Sequence, residues 1–208
     1  MNNPLRKRLP RELKTEFGKY LVIFLLLVAT IGLVSGFLVA DGSMIIAYNE
    51  GFEKYNVENG NFLLEKQANK AQIKAIEGAG VTLYENFYTE EALTNESTMR
   101  IFKNRPDVNR VCLMKGELPT QADEIAIDRM YAENNSLDVG DTIESTDGKY
   151  NWTITGYVAL PDYSCLFSDN NDAMFDAVKF GVGIVTPGGY ELLEKEQQNY
   201  SYSWKYEK

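Results

Sequence analysis

From Tyr20 to Ala40 the chain runs for 21 consecutive residues without a charge. As an α-helix that run is about 31 Å long, close to the ~30 Å hydrocarbon thickness of a bilayer. Its first nine residues, Tyr-Leu-Val-Ile-Phe-Leu-Leu-Leu-Val, are all apolar or aromatic. This predicts a transmembrane helix and divides the chain into residues 1–19, 20–40 and 41–208. A cleaved signal peptide is the competing reading, but its apolar region usually runs only ~7–15 residues. The best cleavage point, after Ala40, would also put the bulky Leu38 where a signal peptidase wants a small residue.

The charge is sorted around that run. Residues 1–19 carry Arg6, Lys7, Arg8, Arg11, Lys14 and Lys19 against Glu12 and Glu16. A basic flank on the N-terminal side places that end in the cytoplasm and residues 41–208 outside. The whole chain has 21 basic and 30 acidic residues, net −9, and no histidine. Residues 41–208 keep 15 of the basic and 28 of the acidic groups, a net of −13. A nucleic-acid partner is disfavoured, because phosphate binding needs a dense basic footprint. Without histidine there is no Ser-His or Cys-His nucleophile pair, and two cysteines are too few for a structural zinc or iron–sulfur site.

Leu5, Leu9, Leu13 and Phe17 recur every four residues between the basic ones. That spacing predicts an interfacial amphipathic helix, starting at Pro10, with its basic groups toward anionic headgroups. A disordered basic stub is the alternative. Within the span, Ala29, Gly32, Gly36 and Ala40 fall within an arc of roughly 80° at the helical period. Small residues let two helix backbones approach closely in lipid, so this face predicts helix–helix packing.

Past the membrane, Asp41-Gly42-Ser43 can interrupt the helix or cap a new one over residues 43–56. In that second helix Ile45, Tyr48, Phe52 and Tyr55 form a stripe expected to pack on the domain. Strands are predicted at 61–65, 81–88, 99–103, 111–114, 124–128, from 142, 152–158 and 180–186. Helices are predicted at 67–77, in a short turn through Ala132, and from Pro187 to about Gln198. Asp147-Gly148 marks a hairpin. Intermixed strands and helices over about 160 residues make an α+β extracytoplasmic domain on a single N-terminal transmembrane helix. The last segment alternates Tyr200, Tyr202, Trp204 and Tyr206 with Ser201, Ser203 and Lys205. Its aromatic face needs further structure to pack on, the mark of a domain cut short; a C-terminal edge strand is the alternative.

Chemistry is sparse. Asp169, Asp172 and Asp176 share a face if helical, but the calcium-loop spacing is missing and a solvated acidic face is the expectation. Asp123, Glu124 and Asp128 read as structural or surface carboxylates rather than an acid–base pair. Cys112 and Cys165 are read as two buried thiols, with a disulfide as the alternative. Four N-x-[ST] triplets begin at Asn95, Asn134, Asn151 and Asn199 and read as chance matches. No GxxxxGK[ST] phosphate loop is present in the sequence, so no cofactor is expected and the chain is not read as an enzyme. A membrane-tethered hydrolase is disfavoured by the absence of histidine and of a nucleophile motif.

Gly116-Glu-Leu-Pro119, then Asp123-Glu124-Ile-Ala-Ile-Asp128, Ala132, Leu137-Asp-Val-Gly140-Asp141-Thr-Ile143 and Ile154-Thr-Gly156-Tyr-Val158 follow one another in order. This succession resembles the extracytoplasmic core of FtsX-like and MacB-like permeases, and the basic opening through Tyr20 resembles the helix that leads into their first span. Gly116, Pro119, Glu124, Gly140, Asp141 and Gly156 are then scaffold positions. The resemblance implies a membrane subunit of an ABC transporter, working as a dimer with a cognate ATPase. Movement driven by ATP at the cytoplasmic side would be relayed to the outer domain. It also implies further spans carrying the ATPase-contacting surface, which 1–208 does not contain, so the chain reads as an incomplete permease. The rival reading is a single-pass, membrane-anchored binding or sensor domain.

Overall fold

The computed structural model describes residues 11–12, 14–169, 171–194 and 197–207. It falls into two units, residues 1–50 and 51–208.

Helix α1 spans Phe17–Lys54 without a break, 38 residues, or about 57 Å. The apolar run fills its first part, and none of its residues is buried. It is long and apolar enough to cross a membrane. Asp41-Gly42-Ser43 does not interrupt it. A glycine costs about 1 kcal/mol against alanine in a helix interior, and proline, which costs about 3, is absent between Pro10 and Pro106. Of the stripe expected to pack, Ile45, Tyr48 and Phe52 are exposed and Tyr55 is half-buried.

Among its described residues the second unit holds ten strands in two sheets. The larger contains β3 (Tyr88–Ala92), β4 (Thr98–Lys103), β5 (Cys112–Gly116), β6 (Glu124–Asp128), β7 (Thr142–Glu144), β8 (Asn151–Ala159) and β9 (Phe180–Val185). Its order is β3-β4-β9-β6-β8-β5, with β7 also on β8. The β4–β9 and β6–β8 pairs are parallel and the rest antiparallel. Central β9 is buried at all six positions, as its unbroken apolar run requires. Gly181 on this strand leaves room for the Tyr131 ring, which a Cβ would meet at 2.6 Å. Tyr131 belongs to helix α3 (Arg129–Asn134), capped by Asp128, whose carboxylate accepts from the amides of Met130 and Tyr131. Met99, Ile101, Ile125, Ile127, Ile154 and Ile184 complete a core without solvent access.

The smaller sheet orders β1 (Gly60–Leu64), β10 (Tyr200–Tyr206) and β2 (Val81–Glu85), all antiparallel. The aromatic segment is therefore the central strand of this sheet rather than an edge. Tyr202, 1% exposed, stacks on Phe62 at 5.6 Å and meets Phe87 edge-on at 5.3 Å, and its hydroxyl accepts from Ala68 N at 2.9 Å. Ser203, on the opposite face, is buried as well and accepts from Asn86 Nδ2.

Three boundaries differ from the sequence reading. Helix α2 (Lys70–Glu77) starts three residues late, because Asn69 and Gln72 form a reciprocal capping box there. The run 81–88 does not continue as one strand: β2 ends at Glu85, the chain passes from one sheet to the other at buried Asn86, and β3 takes only Tyr88 from the run, its residues 89–92 lying outside every predicted strand. Helix α4 (Pro187–Glu191) is one turn, capped by Thr186, and does not reach Gln198.

Candidate functional site

The residues that follow α1 gather two distant stretches of the second unit, the 105–111 loop and β10. The backbone oxygens of Tyr55 and Asn56 accept from the amides of Arg110 (2.8 Å) and Asn109 (3.2 Å). Asn56 also donates through Nδ2 to Asp107 O, while its Oδ1 accepts from Lys205 Nζ at 2.6 Å. Asn109 has no solvent access; its Oδ1 accepts from Glu58 N (2.9 Å) and its Nδ2 donates to Glu58 Oε2 (2.6 Å). Asn59 N donates to Trp204 O at 2.9 Å, and Tyr206 N donates to Asn59 Oδ1 at 3.1 Å. Asn56 and Asn109 both hold positive φ, 48° and 47°, a conformation asparagine tolerates better than most residues. Strand β10 thus runs back to the helix exit, and the 105–111 loop is fastened to the same place. In the sequence Asn59-Gly60 is a turn signal and nothing more. Asn56 and Asn109 carry no local pattern, since their partners lie 51 or more residues away.

Of the positions that the resemblance marks as scaffold, Gly116, Gly140, Asp141 and Gly156 meet elsewhere, along one edge of β8, and Pro119 and Glu124 do not. Gly116 pairs with Gly156 across β5–β8, where the register shifts by a bulge. Glu117 N donates to Thr155 O at 2.9 Å, Gly140 N to Ile154 O at 2.8 Å, and Ile154 N to Asp141 O at 2.8 Å. Asp141 Oδ2 accepts from Asp138 N. Pro119 lies in the loop between β5 and β6, whose turn Glu124 closes by accepting from the amides of Thr120 (2.7 Å) and Gln121 (2.9 Å). Those donors hold the Glu124 carboxyl below its ordinary range. Asp128 caps α3, and its burial raises its pKa against the pull of the two capping amides.

Two arginines line a cleft of about 400 Å³ or border it. Arg100 opens onto it with Tyr88, Tyr163 and Ser201. Its guanidinium donates to Glu90 Oε1, Tyr163 Oη (2.8 Å) and Ser168 O (2.7 Å), and lies over the Tyr88 ring at 4.4 Å. Burial pushes the Tyr163 hydroxyl up to about 12. Arg105 grips both oxygens of Asp162 at 2.6 and 3.0 Å, with side chains 5% and 7% exposed, and also donates to Asn86 Oδ1. Both cations are engaged within the chain, so they tie the 160–168 loop to the sheet.

On the span, a Cβ at Gly32 or Gly36 meets nothing within 4 Å, and the face formed with Ala29 and Ala40 is exposed. Arg11, Lys14 and Lys19 are exposed; Arg6, Lys7 and Arg8, and with them most of the amphipathic segment, lie outside the described residues. Asp169, Asp172 and Asp176 do not share a helix: Asp172 closes a loop by accepting from Ser168 and Asp169, and Asp176 accepts from Val178 and Lys179 amides. Both cysteines are free, but neither is fully buried: Cys165 is exposed, and half-buried Cys112 accepts from Tyr55 Oη at 2.9 Å. No group of three acidic or cysteine side chains able to hold a metal ion occurs among the described residues.

No protein-family model, curated protein or solved structure matches the chain.

Proposed function

We propose that the chain is the N-terminal part of a permease subunit of FtsX/MacB type. In this reading residues 1–19 are cytoplasmic, 20–40 cross the membrane, and the α+β domain lies outside, moved by a partner ATPase. It exports substrates or activates partners there by mechanical transmission. The observation that carries the reading is the course of β10. Lying between β1 and β2, it runs back to Asn56 and Asn59, immediately after α1. An excursion that leaves and returns at one junction suits a domain inserted between membrane segments, because force entering at either end reaches the same hydrogen-bonded knot. A domain hung from a single anchor has no need to bring its last strand home. The open small-residue face at Gly32 and Gly36 supports a second helix, from another span or another copy, packing on this one.

The test is co-purification. The natural gene, with whatever coding sequence follows Lys208, is expressed with the ABC ATPase encoded beside it and solubilised in detergent. The expected result is a stoichiometric complex of the two. A membrane protein that retains no ATPase overturns the transporter reading and leaves the anchored sensor domain.

A further inference from the structure

Among the described residues two buried side-chain polar atoms lack a hydrogen-bond partner, Arg105 Nε and Glu91 Oε1. Arg105 has its charge neutralised end-on by Asp162. Glu91 has no such relief. It sits on β3, 7% exposed, on the strand face that also buries Thr89.

The charged and titratable groups around it come from two other places. Asp147, Lys149 and Tyr150 come from the β7–β8 turn, and Glu194 from the segment after α4. Lys149 Nζ lies 3.1 Å from Asp147 Oδ2 and 2.5 Å from Glu194 Oε1, bridging turn and segment. Tyr150 Oη adds a second tie by donating to Leu192 O at 3.4 Å. One cation therefore already serves two carboxylates. An ionised Glu91 would add a third negative charge to theirs, with Oε1 buried and lacking a donor, which is costly in a poorly solvated site.

We propose that Glu91 makes this contact a pH-responsive clasp: neutral, it leaves the Lys149 bridge holding the β7–β8 turn to the segment after α4; ionised, it loosens that bridge. Because the segment leads into β10, the clasp reaches the strand that ends at the helix exit. The inference does not depend on the transport reading.

Burial, with Asp147 and Glu194 adding to it and Lys149 opposing, raises the Glu91 pKa above its ordinary value. A carboxyl raised in the folded state binds more protons folded than unfolded, so its stabilising effect is full below the unfolded value, ~4.3. That effect is lost as pH rises through the folded value. For a single proton the closing equilibrium falls by at most about tenfold per pH unit in that window.

The experiment is amide hydrogen exchange on the full chain in detergent micelles between pH 5 and 8, corrected for the intrinsic pH dependence of exchange. In the wild type, protection at residues 145–150 and 187–194 is expected to fall several-fold as pH rises. Glu91→Gln, which cannot ionise, is expected to hold the high-protection level throughout. Lys149→Met is expected to lower protection in both segments at pH 5 while β4 and β9 keep theirs. Identical pH profiles for wild type and Glu91→Gln overturn the proposal, as does a Lys149→Met profile equal to wild type at pH 5.

Discussion

Gly116 and Gly140 hold the same kind of backbone for different reasons, and a substitution separates them. Both have positive φ, 74° and 102°, where an L side chain is strained. At Gly116 a Cβ would also stand 2.3 Å from Thr155 O, a backbone atom fixed in the β5–β8 ladder, whereas at Gly140 it meets open space. Gly140→Ala should therefore cost only the conformational strain, about 1–2 kcal/mol. Gly116→Ala should cost that plus a displaced strand, about 3–4 kcal/mol in all. Thermal unfolding of the full chain in detergent reads the difference, and equal losses would mean that the close approach at Gly116 is readily relieved. The same reasoning explains why a motif spread over forty residues of sequence is one object in space: Gly116, Gly140, Asp141 and Gly156 all meet the β8 backbone.

Elements with a strong local period were legible in the sequence, and those decided by distant partners were not. Residues 152–158 alternate and became the long strand β8; the Asp147-Gly148 turn joins β7 to it; the uncharged run became the first part of α1. The break between β2 and β3 falls at Glu85-Asn86, and the aromatic residues on both sides of it, Tyr84 and Phe87-Tyr88, let the segment read as one strand. What divides them is that Asn86 finds Ser203 and Arg105, 117 and 19 residues away. Strand β3 itself carries Glu90 and Glu91, poor strand formers, and owes its place to the β4 ladder. The clasp and the asparagine junction were illegible for the same reason. The span, by contrast, offers a prediction at its own scale. A Cβ at Gly32 or Gly36 meets nothing within 4 Å among the described residues, so replacing both by isoleucine should leave the folding of the second unit unchanged and abolish the helix pairing proposed above. Cross-linking through cysteines placed at Ala29 or Ala40, in membranes, measures that. Undiminished cross-linking in the double variant would show that the glycines do not set the contact.

For the molecule as a whole, the question is whether the helix exit is a separable joint or merely part of the core. The seven-stranded sheet has a dry interior of its own, while the knot at Asn56, Glu58 and Asn109 is polar and joins the helix exit to β10 and the 105–111 loop. Asn109→Gly isolates the knot, because glycine accepts the 47° φ without strain while the side chain's bonds to Glu58 are lost. Leaving Glu58 N and a half-buried carboxylate oxygen without partners costs at most about 1–3 kcal/mol for each group. If the junction is a joint, exchange protection falls in β1, β10 and residues 55–61, while β4, β6, β8 and β9 keep theirs. Local opening of that kind is what a low-stability unit shows when its own contacts are cut. In the complete permease of the proposed reading, the variant should still bind its ATPase yet fail to transmit ATP-driven movement to the outer domain. Uniform loss of protection across both sheets would instead make the knot an inseparable part of one cooperative fold, with no independent lever at the membrane end.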